Sequence, residues 1–190
     1  MEDSELKEAI RKIDDKIVRK DIDSKETEVK EEYERPTWDE YFLEIAKMVG
    51  LRGTCDRGRN GAVIVKNKRI ITTGYVGSPM GMSHCDEVGH LMSDSINPDG
   101  SITKHCIRTI HAEQNAIIQA ALHGISTDGA TLYAKFEPCF VCAKMIINAG
   151  IKRVVCQKKY HAADLTRKFF KEAGIEIVYI EDRIEEYPNQ

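Results

Sequence analysis

Residues 130–156 read ATLYAKFEPCFVCAKMIINAGIKRVVC, and the change of periodicity inside this stretch decides the fold. Ala130 to Ala134 reads as a strand. Cys139 to Ala149 is apolar at helical spacing and stops at Gly150, and Val154 to Cys156 is a strand again. Further on, Asp164 to Ala173 reads as a helix ended by Gly174, and Ile175 to Ile180 as another strand. Strands separated by helices of about ten residues are crossover units, which build a mixed α/β sheet. Working back toward the N-terminus, His111 to His123 is a helix that stops at Gly124. Ala62-Val63-Ile64-Val65 is a buried strand that turns at Asn67-Lys68 and returns over Arg69 to Tyr75 as an antiparallel partner. Thr37 caps a helix, with Glu40 at the reciprocal position of a capping box and Tyr41, Phe42, Ile45, Met48 and Val49 on its apolar face.

Outside this frame the composition changes twice. Residues 1–35 are dominated by charge, with Leu6, Ile10, Ile13 and Ile17 at helical spacing. We expect a charged helical extension there and a single domain over residues 36–190. Its apolar stripe packs either on the same domain or on another subunit. From Val76 to about Arg108 no period persists, and a loop this long in a compact domain is functional or held by something. The 190 residues carry 28 basic and 31 acidic side chains, a formal net charge of −3. That balance argues against a nucleic-acid partner, which needs a basic groove. The acidic opening Met1-Glu2-Asp3-Ser4-Glu5 and the absence of a long apolar run lead us to expect no secretory signal and no membrane span. Six cysteines in a chain expected to be cytoplasmic point to metal or catalysis before disulfides.

The chemistry lies at two helix starts. His111-Ala112-Glu113 opens one helix, and Pro138-Cys139-Phe140-Val141-Cys142 opens the next about 25 residues later. Cysteines three apart at a helix start can both turn to one ion, as thiolates favoured by the positive end of the helix dipole. His111 completes a three-ligand zinc site with one open position, the arrangement of a catalytic rather than a structural metal. The open position holds water whose pKa the metal lowers. Glu113 stands beside it as a carboxylate that moves protons without binding the metal. The competing readings of Cys-x-x-Cys are a redox pair and a purely structural zinc, and a four-ligand structural site leaves Glu113 without a role.

His-x-Glu followed by Pro-Cys-x-x-Cys is the pattern of zinc nucleobase deaminases. More of this chain resembles the deoxycytidylate (dCMP) deaminase branch of that superfamily. The likeness runs over Gly61 to Val65, Thr73-Gly74-Tyr75 with Gly77-Ser78-Pro79, His105 to Ile117, Gly129 to Tyr133, Cys142-Ala143-Lys144 and Ile146 to Lys152. It covers about residues 37–180 and leaves the charged extension outside. The resemblance implies a three-layer α/β/α sandwich with a five-stranded mixed sheet. It implies hydrolysis of dCMP to dUMP and ammonia, with zinc on His111, Cys139 and Cys142. Glu113 is then the proton carrier, and the backbone N–H of Ala112 meets the base carbonyl. It also implies a homo-oligomer, with hexamers among the relatives.

Gly77 and Ser78 are the candidates for gripping the nucleotide phosphate, because glycine lets backbone N–H groups approach an anion and the hydroxyl can donate. The plain alternative is a tight turn that only ends a hairpin. Tyr160 matches the aromatic residue the family places over the base, and is otherwise a core residue. Cys55, Cys85, His105 and Cys106, with His90 or His84 as substitutes, form a candidate closed set for a second, structural zinc. Free thiols are the alternative. Rival functions are deamination of tRNA or of another free nucleoside or nucleotide, and a zinc-held scaffold without activity.

Overall fold

The computed structural model describes residues 33–96, 100 and 102–185. The helical extension expected from Leu6 to Ile17 lies outside the described residues. A compact unit begins at Pro36. Its first helix, α1 (Trp38–Gly50), is capped as the sequence predicts: Glu40 N donates to Thr37 Oγ1 at 3.3 Å, and Thr37 N donates to Glu40 Oε2 at 2.7 Å. Next come β1 (Gly61–Lys66) and β2 (Arg69–Tyr75), joined by Asn67 and Lys68, which both have positive φ. That is the mirror-image turn whose twist suits a two-residue hairpin.

Then follow α2 (Cys85–Val88), β3 (Met92–Ile96), β4 (Ile102–Cys106), α3 (Ala112–Leu122), β5 (Thr131–Phe136) and α4 (Phe140–Asn148). The chain continues with β6 (Arg153–Tyr160), α5 (Asp164–Ala173), β7 (Glu176–Tyr179) and the short β8 (Ile184–Glu185). The main sheet runs β2-β1-β5-β6-β7, with β8 pairing only with the end of β6. β1 is antiparallel to both neighbours, while β5-β6 and β6-β7 are parallel, so the five-stranded mixed sheet is as expected.

Alternation along β1 sorts the layers. Ala62 and Ile64 face a core built with Ala112 and Ala116 of α3, Ala143 and Ile146 of α4, and Phe170 of α5. Val63 and Val65 face the opposite side, where Phe42, Leu43 and Ala46 of α1 cover them together with Tyr133 and Val155. A period of two along the strand therefore separates one helix on one face from three on the other. Gly74 sets a close approach of α3 to β2. A Cβ there would stand 2.3 Å from both Ala112 O and Ala116 N, so only glycine lets α3 lie directly on β2.

The segment from Val76 to Arg108 is not wholly irregular, since it holds α2 and the antiparallel hairpin β3-β4. No apolar alternation announces these strands because the hairpin forms a sheet of its own, separate from the main one. Met92 and Ile96 on β3 are exposed, so there is no core face to mark.

Candidate metal centre and active site

Both sequence-predicted ligand segments sit at helix N-termini on the same edge of the sheet. His111 is the N-cap of α3 and Cys139 the N-cap of α4, each in extended backbone, which aims the side chain off the helix end. Cys142 lies one turn into α4, buried. His111 Nδ1 is 3.5 Å from Cys139 Sγ and 3.4 Å from Cys142 Sγ, and the two sulfurs are 3.6 Å apart. Ligands at zinc bond lengths on a tetrahedron stand about 3.6 Å apart for S–N pairs and about 3.8 Å for S–S pairs. The donor triangle therefore fits one zinc ion. Glu113, buried at 3% exposure, sits outside the triangle but beside it, with Oε2 3.8 Å from Cys142 Sγ.

The electrostatics of this triangle call for a cation. The hydrogen bond from Cys142, then the neighbouring His111, pulls the Cys139 thiol down to about 4. The bond to Cys139 in turn lifts His111 to about 9. Cys142 is pushed up by Cys139 and by burial. Burial raises the Glu113 carboxyl, which suits a group that must carry a proton during turnover.

The surrounding walls are fixed by backbone. Gly77 and Ile110 bridge β2's exit to the segment before His111, with Ile110 N donating to Gly77 O at 2.9 Å. Ser78 Oγ, next in the chain, is buried without a hydrogen-bond partner among the described residues. Asn115 Nδ2 donates to Tyr75 O at 2.7 Å and ties α3 to the same loop. Ala112, the first residue of α3, is buried. Tyr160 ends β6 close enough to feel the charge of Cys139. Sequence reasoning missed the residue that holds it. Glu137 accepts from Tyr160 N at 3.0 Å, from Arg167 Nε and Nη2 at 2.9 and 2.6 Å, and from Tyr179 OH at 2.6 Å. Its place next to Pro138-Cys139 was the available signal, a charged residue at the buried end of a strand.

A second group of donors comes together, with His90 in it in place of His105. Cys55, Cys85, His90 and Cys106 bring their donor atoms together, with Cys55 Sγ 3.7 Å from His90 Nδ1 and Cys85 Sγ 3.6 Å from Cys106 Sγ. His105 is not among them, and neither is His84. His105 and Cys106 are neighbours on β4, where successive side chains face opposite sides, so turning the thiol into the cluster turns the imidazole away. Burial drives Cys85 up to about 12. Cys106 falls to about 7: burial opposes ionisation there, but backbone hydrogen bonds at Arg108 and Leu91 outweigh it. Val76 packs against Cys55 and Cys85 in this cluster.

With this geometry in place, the relatives can be compared. The family profile described as the cytidine and deoxycytidylate deaminase zinc-binding region matches residues 36–158. The chain belongs to that family. As a cytidine and deoxycytidylate deaminase family member it is a zinc-dependent hydrolytic deaminase. It is 42% identical over 148 residues to ComE operon protein 2 of Bacillus subtilis, covering 78% of this chain and 74% of that one. It is 35% identical over 143 residues to the deoxycytidylate deaminase of Schizosaccharomyces pombe, covering 75% of this chain and 44% of the yeast protein. Among solved structures, the dCMP deaminase of cyanophage S-TIM5 in complex with dCMP and dUMP superposes with a TM-score of 0.62 at 29% identity. That match covers 78% of this chain and all of the phage chain. Among the described residues no helix is long and apolar enough to cross a membrane.

Proposed function

We propose that this deaminase converts dCMP and water to dUMP and ammonia. The observation that carries the reading is a buried carboxylate, Glu113, standing beside a three-donor triangle instead of completing it. A closed structural site has no use for that arrangement, whereas hydrolysis needs it. His111, Cys139 and Cys142 hold the zinc ion. When bound, the metal supplies a Lewis acid that activates water at neutral pH. Glu113 Oε takes one proton of the attacking water and delivers it to N3 of the base, then takes the remaining proton from the hydroxyl added at C4 and gives it to the amine, which leaves as ammonia as the C4–N bond breaks. The Ala112 N–H meets the base carbonyl, Tyr160 stacks on the ring, and Gly77 and Ser78 face the phosphate. Relatives named deoxycytidylate deaminase support the choice of substrate.

The second cluster is a closed four-ligand structural zinc on Cys55, Cys85, His90 and Cys106. Five thiols in these two donor sets and a sixth, Cys156, in the core suit the reducing cytoplasm. Assembly into a homo-oligomer belongs to the same reading and would cover apolar residues such as Ile118 and Leu122, exposed on α3.

Ammonia release from dCMP, CMP, dCTP, deoxycytidine and tRNA tests the assignment. We expect dCMP to lead, and Glu113→Ala to lower kcat by about 10²- to 10⁴-fold with zinc still bound. An unchanged rate in that variant would remove Glu113 from the chemistry. Preference for tRNA, or no turnover of any substrate by the zinc-loaded protein, would refute the dCMP reading.

A further inference from the structure

The face of the main sheet that carries the metal triangle can be followed row by row to its end. Gly74, Ala62 and Ala134 form one row across β2, β1 and β5. Ala62 and Ala134 belong to the core cluster that includes Ala112 and Cys142 and that Cys139 packs against. On this row α3 lies directly over Gly74 and runs back along β2, where Thr72 Oγ1 donates to Ala116 O at 3.1 Å. Its start therefore lies beyond Gly74 toward Val76, and Gly77 pairs with Ile110, one residue before His111. The next row outward sits under that helix start. Val76 N donates to Asn60 O at 3.0 Å, which carries the β1-β2 ladder one pair beyond Gly61 and Tyr75. On the other side, the β1-β5 register sets Phe136 level with Asn60. A Cβ on Gly61 would run into Ala46 and Gly50 of α1, so alternation turns the Asn60 side chain to the opposite face, the one with the triangle.

Asn60 is thus a polar residue between two buried apolar neighbours, Val76 and Phe136. Its Oδ1 is buried and has no hydrogen-bond partner among the described residues. A carbonyl oxygen in that state costs free energy, and a donor on a ligand removes the cost. At neutral pH dCMP offers two kinds of donor, the 4-amino group and the sugar 3′-hydroxyl. In the reading above, the amine leaves with a proton from Glu113, while Glu113 and the Ala112 N–H serve N3 and the base carbonyl. The hydroxyl is the donor left over. Asn60 also adjoins Val76-Gly77-Ser78, so it stands between the base end of the site and the loop assigned to the phosphate. We propose that Asn60 Oδ1 accepts from the 3′-hydroxyl of the substrate, which makes Asn60 the side chain that reads the sugar. This proposal rests on the nucleotide reading and adds a specificity-determining residue to it.

The test is steady-state kinetics of the wild type, Asn60→Ala and Asn60→Asp with dCMP and with 2′,3′-dideoxycytidine 5′-monophosphate, with zinc content and Tm recorded for each protein. In the wild type, removing the 3′-hydroxyl should lower kcat/KM about ten- to hundredfold, because Oδ1 then stays unpaired. Asn60→Ala should lower kcat/KM for dCMP by a similar factor and bring the two substrates within about twofold of each other. Asn60→Asp keeps an acceptor oxygen at the same place and should keep the preference for the hydroxyl. Equal wild-type kcat/KM for the two substrates would overturn the assignment and leave the dCMP reading standing, and that comparison needs no variant to fold. A preference that survives undiminished in zinc-loaded Asn60→Ala would overturn it as well, since the hydroxyl would then be read elsewhere. Zinc-loaded wild type that releases no ammonia from dCMP would remove the nucleotide reading itself, and this proposal with it.

Discussion

Glu137 and Glu113 are both carboxylates with about 3% of their surface exposed, and their surroundings give them opposite duties. Glu113 has a thiol beside it and no cation from the protein within hydrogen-bonding reach among the described residues, so burial raises its pKa and leaves it ready to exchange protons. Glu137 is saturated instead: a guanidinium, a phenol and a backbone N–H fill its oxygens. Arg167 Nη2 also donates to Tyr160 O at 3.0 Å, so one ion pair holds Tyr160 by both its N–H and its carbonyl. Replacing Glu137 by Gln removes the charge that Arg167 needs while nearly preserving volume. We expect a loss of about 3 kcal/mol in urea unfolding, the cost of breaking a buried pair by one partner. KM for dCMP should rise more than kcat falls, because Tyr160 loses its anchor while the ligand triangle stays. A variant with wild-type stability and KM would show that the network does neither job.

At the scale of elements, most of the order was readable because each strand of the main sheet has a core to face. Val63 and Val65 against α1, and Ala62 and Ile64 against α3, leave a hydrophobic record that survives as sequence pattern. The β3-β4 hairpin leaves none, being a two-stranded ladder of its own with Cys106 of the cysteine cluster at its end. Pattern reading fails wherever such local chemistry replaces a hydrophobic face. The anchor of α1 was equally hidden. Asp39 accepts two bonds from Arg153 at 2.8 Å and one from Tyr133 OH at 2.9 Å, across more than 90 residues of chain. Arg153 holds the Asp39 carboxyl below its ordinary value of 3.8, against a partial opposing effect of burial. A depressed folded-state pKa stabilises the fold above the unfolded value, and that contribution disappears as the pH falls through the folded one. Asp39→Asn should therefore cost about 2 kcal/mol at pH 7. The gap from wild type should narrow only below about pH 4. Urea titrations across pH 2–7 measure this, and a gap that stays constant to pH 2 would contradict the sign.

At the scale of the whole molecule, the two clusters share chemistry and differ in what was legible about them. His111, Cys139 and Cys142 were readable because spacing and helix starts fix which way they point. In the second set the choice between His90 and His105 was not legible, since it needs the side of β4 on which His105 stands relative to Cys106. The clusters should also differ in how they give up metal. Three protein ligands leave a position a chelator can enter, while four closed ligands, two of them on buried cysteines, leave none. Metal bound by a fold's own ligands contributes its binding energy to folding. Titrating the zinc-loaded protein with a chelator should therefore remove zinc in two steps from a starting content of two per chain. Deaminase activity should vanish in the first step with a modest fall in Tm, and the large fall in Tm should accompany the second. Cys85→Ser should abolish the second step while leaving the first. Loss of activity and the whole Tm change together, at one zinc per chain, would mean that the four-donor cluster holds no metal and that residues 76–108 are kept in place by packing alone.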